Sequence, residues 1–133
     1  MPPVIKTIIV VEDEPDTAEM FAEMMRISGY QVIKSYTSAS ALALISKEKP
    51  AAVVLDIMMP DLSGLEVLKR MRNQPDLADI PVVVVSARSL ISDIKHGLDA
   101  GASVYLTKPV AFMDLKAAVE NTIRSAEQKV TGS

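Results

Sequence analysis

Four short polar stretches of this chain carry residue types that can do chemistry together: Glu12-Asp13-Glu14, Asp56, Ser86 and Thr107-Lys108-Pro109. Clustered carboxylates repel one another unless a proton or a cation sits among them. Glu12, Asp13 and Asp56 offer hard oxygen donors with no thiol or imidazole beside them. The cation that suits them is Mg2+, which takes one or two carboxylates, keeps several waters and leaves positions for phosphate oxygens. Lys108 adds a fixed positive charge and Ser86 a hydroxyl. A carboxylate between a divalent cation, an ammonium and a hydroxyl is suited to becoming an acyl phosphate. The metal and the lysine offset charge on the transferring group, and the serine donates to its oxygen. Singly, each residue has a plainer reading. Glu12 to Asp16 can cap a helix and favour its positive end, Asp56 can be a loop aspartate, Ser86 (or the better placed Ser89) can cap the next helix, and Lys108 can be a solvated turn residue before proline. Their joint placement decides between the readings.

That placement follows from the apolar pattern, which alternates between short β-branched runs and longer segments of helical period. Strands are expected at Ile8 to Val11, Gln31 to Ser35, Ala52 to Leu55, Val82 to Val85 and Val104 to Leu106. The first, third and fourth are almost wholly apolar, as parallel strands covered on both faces are, whereas the second and fifth are more polar and belong nearer the edges. Between them, Ala18, Phe21, Ala22 and Met25 make a first helix ended at Gly29. Ser38 or Ser40 caps a second helix, whose Leu42 and Ile45 face inward before Pro50 stops it. Leu65, Leu68 and Met71 make a third, ended by the Asn73 to Pro81 segment. Ile91, Ile94 and Leu98 make a fourth, closed by Gly101, and Leu115, Ala118, Val119, Thr122 and Ile123 a fifth, followed by a polar tail from Glu127 to Ser133. Five such units predict an α/β fold, a parallel sheet with helices on both faces, binding its ligands at the carboxyl ends of the strands. Those ends carry the four polar stretches.

At 133 residues the chain has the length of one domain, with a core over about 7–126 and a tail or linker start over 127–133. It has no cysteine and one histidine, His96, so disulfides, thiolate sites and zinc are excluded, and a reducing cytoplasm is the expected location. His96, with Asp93, Lys95 and Asp99 around it, is expected on a solvated helix face. The net charge of −3, from 14 basic and 17 acidic residues without a basic cluster, argues against direct nucleic-acid binding. No apolar run is long enough to span a membrane, and Met1 to Lys6 is no signal peptide.

Val10-Val11-Glu12-Asp13-Glu14-Pro15, Leu55-Asp56-Ile57-Met58-Met59-Pro60-Asp61 with Gly64, Val85-Ser86-Ala87, and Gly101-Ala102 leading to Tyr105-Leu106-Thr107-Lys108-Pro109 resemble the response-regulator receiver domains of two-component signalling, over about Ile8 to Ala126. The resemblance implies a flavodoxin-like five-stranded sheet in the order 2-1-3-4-5. It implies that Asp56 accepts phosphate from a phosphohistidine. Asp13, Asp56 and the Met58 carbonyl would then ligate Mg2+, with Glu12, which stands where the family often has aspartate, reaching it through water. It further implies that Lys108 pairs with the acceptor, that Ser86 binds a phosphate oxygen, that Tyr105 is a switch residue, and that the bond before Pro109 is cis. The implied partners are a histidine kinase or histidine phosphotransfer protein and an output partner that the sequence does not name, with a phosphorylation-dependent homodimer among the candidates. The switching surface is that of helix 4, strand 5 and helix 5.

Two features go beyond this core pattern. Thr17, Met20, Met24 and Ile27 recur along helix 1 away from its main apolar stripe, either as a widened packing face or as an adaptable surface that docks a partner helix. Met58 and Arg88 stand where relatives flank the path of the hydrolytic water; neither offers an acceptor, so they either prolong the phosphoryl group's life or point idly to solvent. A flavin binder on the same fold would need a Gly, Ser and Thr nest after the first strand, a phosphohydrolase would need a substrate pocket, and a DNA-binding regulator would need a further domain.

Overall fold

A computed structural model describes the backbone of residues 4–131 and the side chains of residues 4–129. The strands are β1 (Thr7–Val11), β2 (Gln31–Ser35), β3 (Ala52–Leu55), β4 (Val82–Ser86) and β5 (Val104–Thr107). The helices are α1 (Pro15–Ile27), α2 (Ser38–Glu48), α3 (Gly64–Asn73), α4 (Ile91–Asp99) and α5 (Phe112–Thr131), each strand being followed by its helix. All pairings are parallel and the order is β2-β1-β3-β4-β5. The polar β2 and β5 lie at the edges, and the apolar β1, β3 and β4 fill the centre.

Successive strand residues point to opposite faces, and both faces are covered. Ile8, Val10, Val54, Val83 and Val85 pack against Phe21 and Met25 of α1 and Leu115, Val119 and Ile123 of α5. Ile9, Val11, Val53, Leu55 and Val84 pack against Ala41 and Ile45 of α2 and Val67, Leu68 and Met71 of α3. No helix among the described residues is long and apolar enough to cross a membrane.

Local signals mostly hold. α1 is followed by Gly29 at φ 100° and α4 by Gly101 at φ 115°, both in the left-handed region that favours glycine. Several details differ. The cap of α2 is Thr37, neither Ser38 nor Ser40: Thr37 has the extended backbone that a cap requires and accepts from the Ser40 amide at 3.1 Å. Ser38 turns inward instead, its hydroxyl donating to the Leu62 carbonyl, while Asp61 accepts from its amide at 3.1 Å. Leu42 is only half-buried. α4 starts after Leu90 with no side-chain cap, so neither Ser86 nor Ser89 serves there. Its predicted apolar stripe does not seat on the sheet: Ile91 is 86% exposed, Leu98 is exposed, and Gly97 is the only buried residue of the helix. α5 extends past Ala126 to Thr131, so the polar residues from Glu127 onward begin as helix; Gly132 and Ser133 lie outside the described residues, as do Met1 to Pro3.

Arg72 was not singled out by the pattern, yet it ties α3 to the two loops below it. Its Nε donates to the Gly101 carbonyl at 3.0 Å, and its Nη1 to the carbonyls of Ala78 at 3.0 Å and Ile80 at 2.8 Å. Burial lowers its pKa from the ordinary guanidinium value. Removing a charged donor strands its acceptors, so Arg72→Ala is expected to lower stability by about 2–4 kcal/mol in urea unfolding, whereas Arg70→Ala, on the solvent side, changes it little.

Candidate functional site

Strand register builds the site. Val11 pairs with Leu55, so the next residues, Glu12 and Asp56, emerge side by side from the carboxyl edge. The Asp56 amide donates to the Val11 carbonyl at 3.0 Å, locking that relation. On the other side Ser86 pairs with Thr107, and the Lys108 amide donates to the Ser86 carbonyl at 2.8 Å, which brings the lysine back over the central strands. The Lys108–Pro109 peptide bond is cis. Gly64 lies against the same loop: a Cβ there would stand 2.5 Å from the Ile57 Cα and 2.7 Å from the Asp56 carbonyl oxygen, so only glycine lets α3 begin this close to Asp56.

Carboxylate oxygens of Glu12, Asp13 and Asp56 all lie within 4.8 Å of one another. Glu12 is 2% exposed and Asp56 is also buried, whereas Asp13 is open to solvent. The Lys108 Nζ donates to Glu12 Oε1 at 2.6 Å and to Asp56 Oδ2 at 3.0 Å. The other Asp56 oxygen, Oδ1, accepts from the Met58 amide at 2.9 Å. Burial, then the Asp56 charge, raises the Glu12 pKa above the ordinary carboxyl value, although Lys108 works against the shift. Burial opposes the charge on Lys108, but its bonds to Glu12 and Asp56 prevail and raise its pKa. Three carboxylates against one ammonium leave an excess of negative charge that suits a divalent cation, and an all-oxygen donor set suits Mg2+. Ser86 is fully buried, its Oγ accepting from the Arg88 amide at 3.1 Å. The Tyr105 hydroxyl donates to the Arg88 carbonyl at 2.8 Å. Glu14 belongs to the helix and not to the cluster: it caps α1 by accepting from the Thr17 amide at 2.6 Å.

A cleft of about 550 Å3 beside Asp13 is lined in part by Met58, Leu65, Arg88 and His96. Met58 and Arg88 are both exposed, and the Arg88 guanidinium lies 3.7 Å from Asp93. His96 is exposed on α4, as its polar neighbours predict. Of the second stripe on α1, Met20 (46%) and Ile27 (68%) are exposed. Thr17 and Met24 are half-buried, the first bonded to Glu14 and the second packed on the core.

The profile of the response regulator receiver domain matches residues 8–120. This chain belongs to that family. A response regulator MprA of Mycolicibacterium vanbaalenii is 41% identical over 117 residues, 88% of this chain and 50% of the relative, so the chain spans about half the length of the curated relatives it matches. A Francisella response regulator receiver domain superposes with a TM-score of 0.84 at 28% identity, covering 90% of this chain and 98% of the other. The receiver domain of a Pseudomonas aeruginosa sensor histidine kinase, solved with a magnesium ion coordinated in its active-site cleft, gives a TM-score of 0.84 at 26% identity, covering 91% and 99%. The receiver domain thus carries the flavodoxin-like fold and the two-component signalling role that its motifs resemble.

The electrostatics of this receiver domain give a pH-dependent expectation. A carboxyl whose pKa is raised by folding binds its proton more tightly when folded, so its contribution to stability is present below the ordinary value and is lost as pH rises through the raised one. Lys108 offsets that loss for Glu12. Lys108→Met is therefore expected to lower stability by about 1–3 kcal/mol at pH 7, as measured by urea unfolding, with the deficit shrinking toward acid as Glu12 takes up a proton.

Proposed function

We propose that this chain is the phosphoacceptor domain of a two-component system, in which Asp56 takes a phosphoryl group from a phosphohistidine with Mg2+ held by Asp13, Asp56 and the Met58 carbonyl, and by Glu12 through water. The observation that carries this reading is the hold on the Asp56 carboxylate, with one oxygen on the Met58 amide at 2.9 Å and the other on the Lys108 ammonium at 3.0 Å. A carboxylate so fixed presents its lone pairs in one direction, the pre-orientation that a displacement at phosphorus requires. An Asp56 oxygen forms the new bond to phosphorus as the phosphorus–nitrogen bond of the donor breaks, and the imidazole leaves with that electron pair. When bound, Mg2+ supplies positive charge beside the phosphoryl oxygens.

The chain's own groups do the rest. Lys108 lies beside the acceptor and meets the charge arriving with the phosphoryl group. The Ser86 hydroxyl keeps its proton free to donate to a phosphoryl oxygen, because in its bond with Arg88 it is the acceptor. Drawing Ser86 toward the phosphoryl group pulls on the Arg88 peptide and so on Tyr105, and shifts the surface of α4, β5 and α5 between two states. The domain acts as a switch that catalyses only its own phosphorylation and slow dephosphorylation. Its donor is a histidine kinase or histidine phosphotransfer protein docking on α1, where Met20 and Ile27 offer an adaptable apolar edge flanked by Thr17 and Met24.

Incubation with acetyl phosphate and Mg2+ is expected to add one phosphoryl group to the parent chain and none to Asp56→Ala, read by intact mass. A phosphorylated Asp56→Ala chain would assign the acceptor elsewhere. Asp13→Ala is expected to weaken Mg2+ binding by at least roughly 10–100-fold, the scale on which even outer-shell partners matter.

The lifetime of the phosphoryl group depends on water reaching the face opposite the leaving carboxylate. Met58 offers no acceptor to hold that water, and the Arg88 guanidinium is turned toward Asp93. Met58→Asn is expected to shorten the lifetime by roughly 10-fold, a fraction of what a full general base contributes. Intact mass followed after donor removal measures it, and an unchanged or longer lifetime would count against the role given to Met58.

A further inference from the structure

α4 meets the sheet through a gap in its own side chains. Gly97 is its one buried residue, and a Cβ there would lie 2.6 Å from Cδ2 and 2.8 Å from Cε2 of the Tyr105 ring. The ring thus fills volume that any other residue at 97 would need for its own side chain. Glycine inside a helix weakens folding relative to alanine by up to roughly 2- to 5-fold in the equilibrium constant; Gly97 lies within the last turn of α4, and the ring's position supplies a reason for it here. The far end of the ring is held too, since the Tyr105 hydroxyl donates to the Arg88 carbonyl at 2.8 Å. The same Arg88 donates its amide to Ser86 Oγ at 3.1 Å and sets its guanidinium 3.7 Å from Asp93 of α4. One residue therefore joins the Ser86 hydroxyl, the Tyr105 ring and α4.

We propose that Gly97 is a positioning residue: its missing side chain is the seat that keeps Tyr105 on the Arg88 carbonyl, and the size of residue 97 sets how tightly α4 is coupled to Ser86. The consequence for phosphorylation rests on the reading of Asp56 and Ser86 given above; the seat itself does not. Filling the seat lifts the ring, breaks its bond to Arg88 and frees that peptide to turn. Coupling is reciprocal, so to the extent that the Tyr105–Arg88 bond favours the Ser86–Arg88 bond, the second favours the first by the same factor.

The test compares the parent, Gly97→Ala, Tyr105→Ala and the double variant. Folding stability, NMR signals of the Tyr105 ring and of the Ser86 and Arg88 amides, and the rate of phosphoryl uptake from acetyl phosphate with Mg2+ are measured. In the Tyr105→Ala background, Gly97→Ala is expected to strengthen folding by roughly 2- to 5-fold, the ordinary helix gain. With Tyr105 present, that gain vanishes or reverses, the ring and both amide signals move, and uptake changes by at least roughly 5-fold. Tyr105→Phe is expected to leave the ring seated while shifting only the Arg88 and Ser86 amides. A Gly97→Ala chain that folds only together with Tyr105→Ala also supports the seat. Equal gains in both backgrounds with unmoved Tyr105 signals would overturn the seat, and a displaced ring with parental uptake and unmoved Ser86 and Arg88 amides would overturn the coupling. Should the parent take up no phosphoryl group, the Asp56 reading fails by itself, and the amide shifts on Gly97→Ala still decide the coupling.

Discussion

The Lys108 ammonium lies 2.6 Å from one Glu12 oxygen and 3.0 Å from one Asp56 oxygen, and the carboxyl edge of the sheet is organised around that shared cation. Glu12 has almost no contact with water, so its charge is tolerable only because it is paired and hydrogen-bonded. Asp13, left outside the pairing, faces solvent. The result is a site that holds two acids in fixed positions and leaves a third open to solvent beside them. The pairing also explains why β5, a half-exposed edge strand, matters to the centre of the molecule: its last residues bring Lys108 back across the strand ends.

The two flanks of the site differ in how firmly they are held. On the β1 and β3 side, Phe21 and Met25 of α1 and Val67, Leu68 and Met71 of α3 are buried against the sheet. On the β4 and β5 side, α4 buries only Gly97, exposes Ile91 and Leu98, and starts without a side-chain cap. Segments with little apolar burial are those that open or shift at least cost. Asp56 thus sits between a firmly packed half, which fixes the acids, and a lightly anchored half, which Ser86, Arg88 and Tyr105 connect to it.

The alternation of apolar runs with helical periods was enough to read the five strands, their flanking helices and the central position of β1, β3 and β4, because strands covered on both faces must be apolar along their length. The polar residues closing those runs were legible for the same reason: an apolar strand ends in Glu12 or Asp56 only where other polar groups meet them at the carboxyl edge, as Lys108 does. Capping was less legible. Thr37, Ser38 and Ser40 all suit an N-cap by type, and the choice was made by Asp61 and Leu62, which lie far along the chain and engage Ser38. The stripe Ile91, Ile94 and Leu98 has helical spacing, but spacing does not say which face meets the sheet, and the Tyr105 ring took the place beside Gly97.

Arg72 shows the limit from the other side. Its three acceptors are backbone carbonyls of Ala78, Ile80 and Gly101, which no side-chain pattern reveals. The sequence by itself determined the family, the α/β architecture and the set of acids, hydroxyl and lysine at the strand ends, because those depend on residue type and on the order in which strands leave the core. Only the tertiary structure decided that Glu12 is buried on Lys108 while Asp13 is open, that α4 rests on a glycine, and that Arg88 links Ser86 to Tyr105. Each of these depends on distances between different elements of the fold, set by strand register and by the volume left between packed elements.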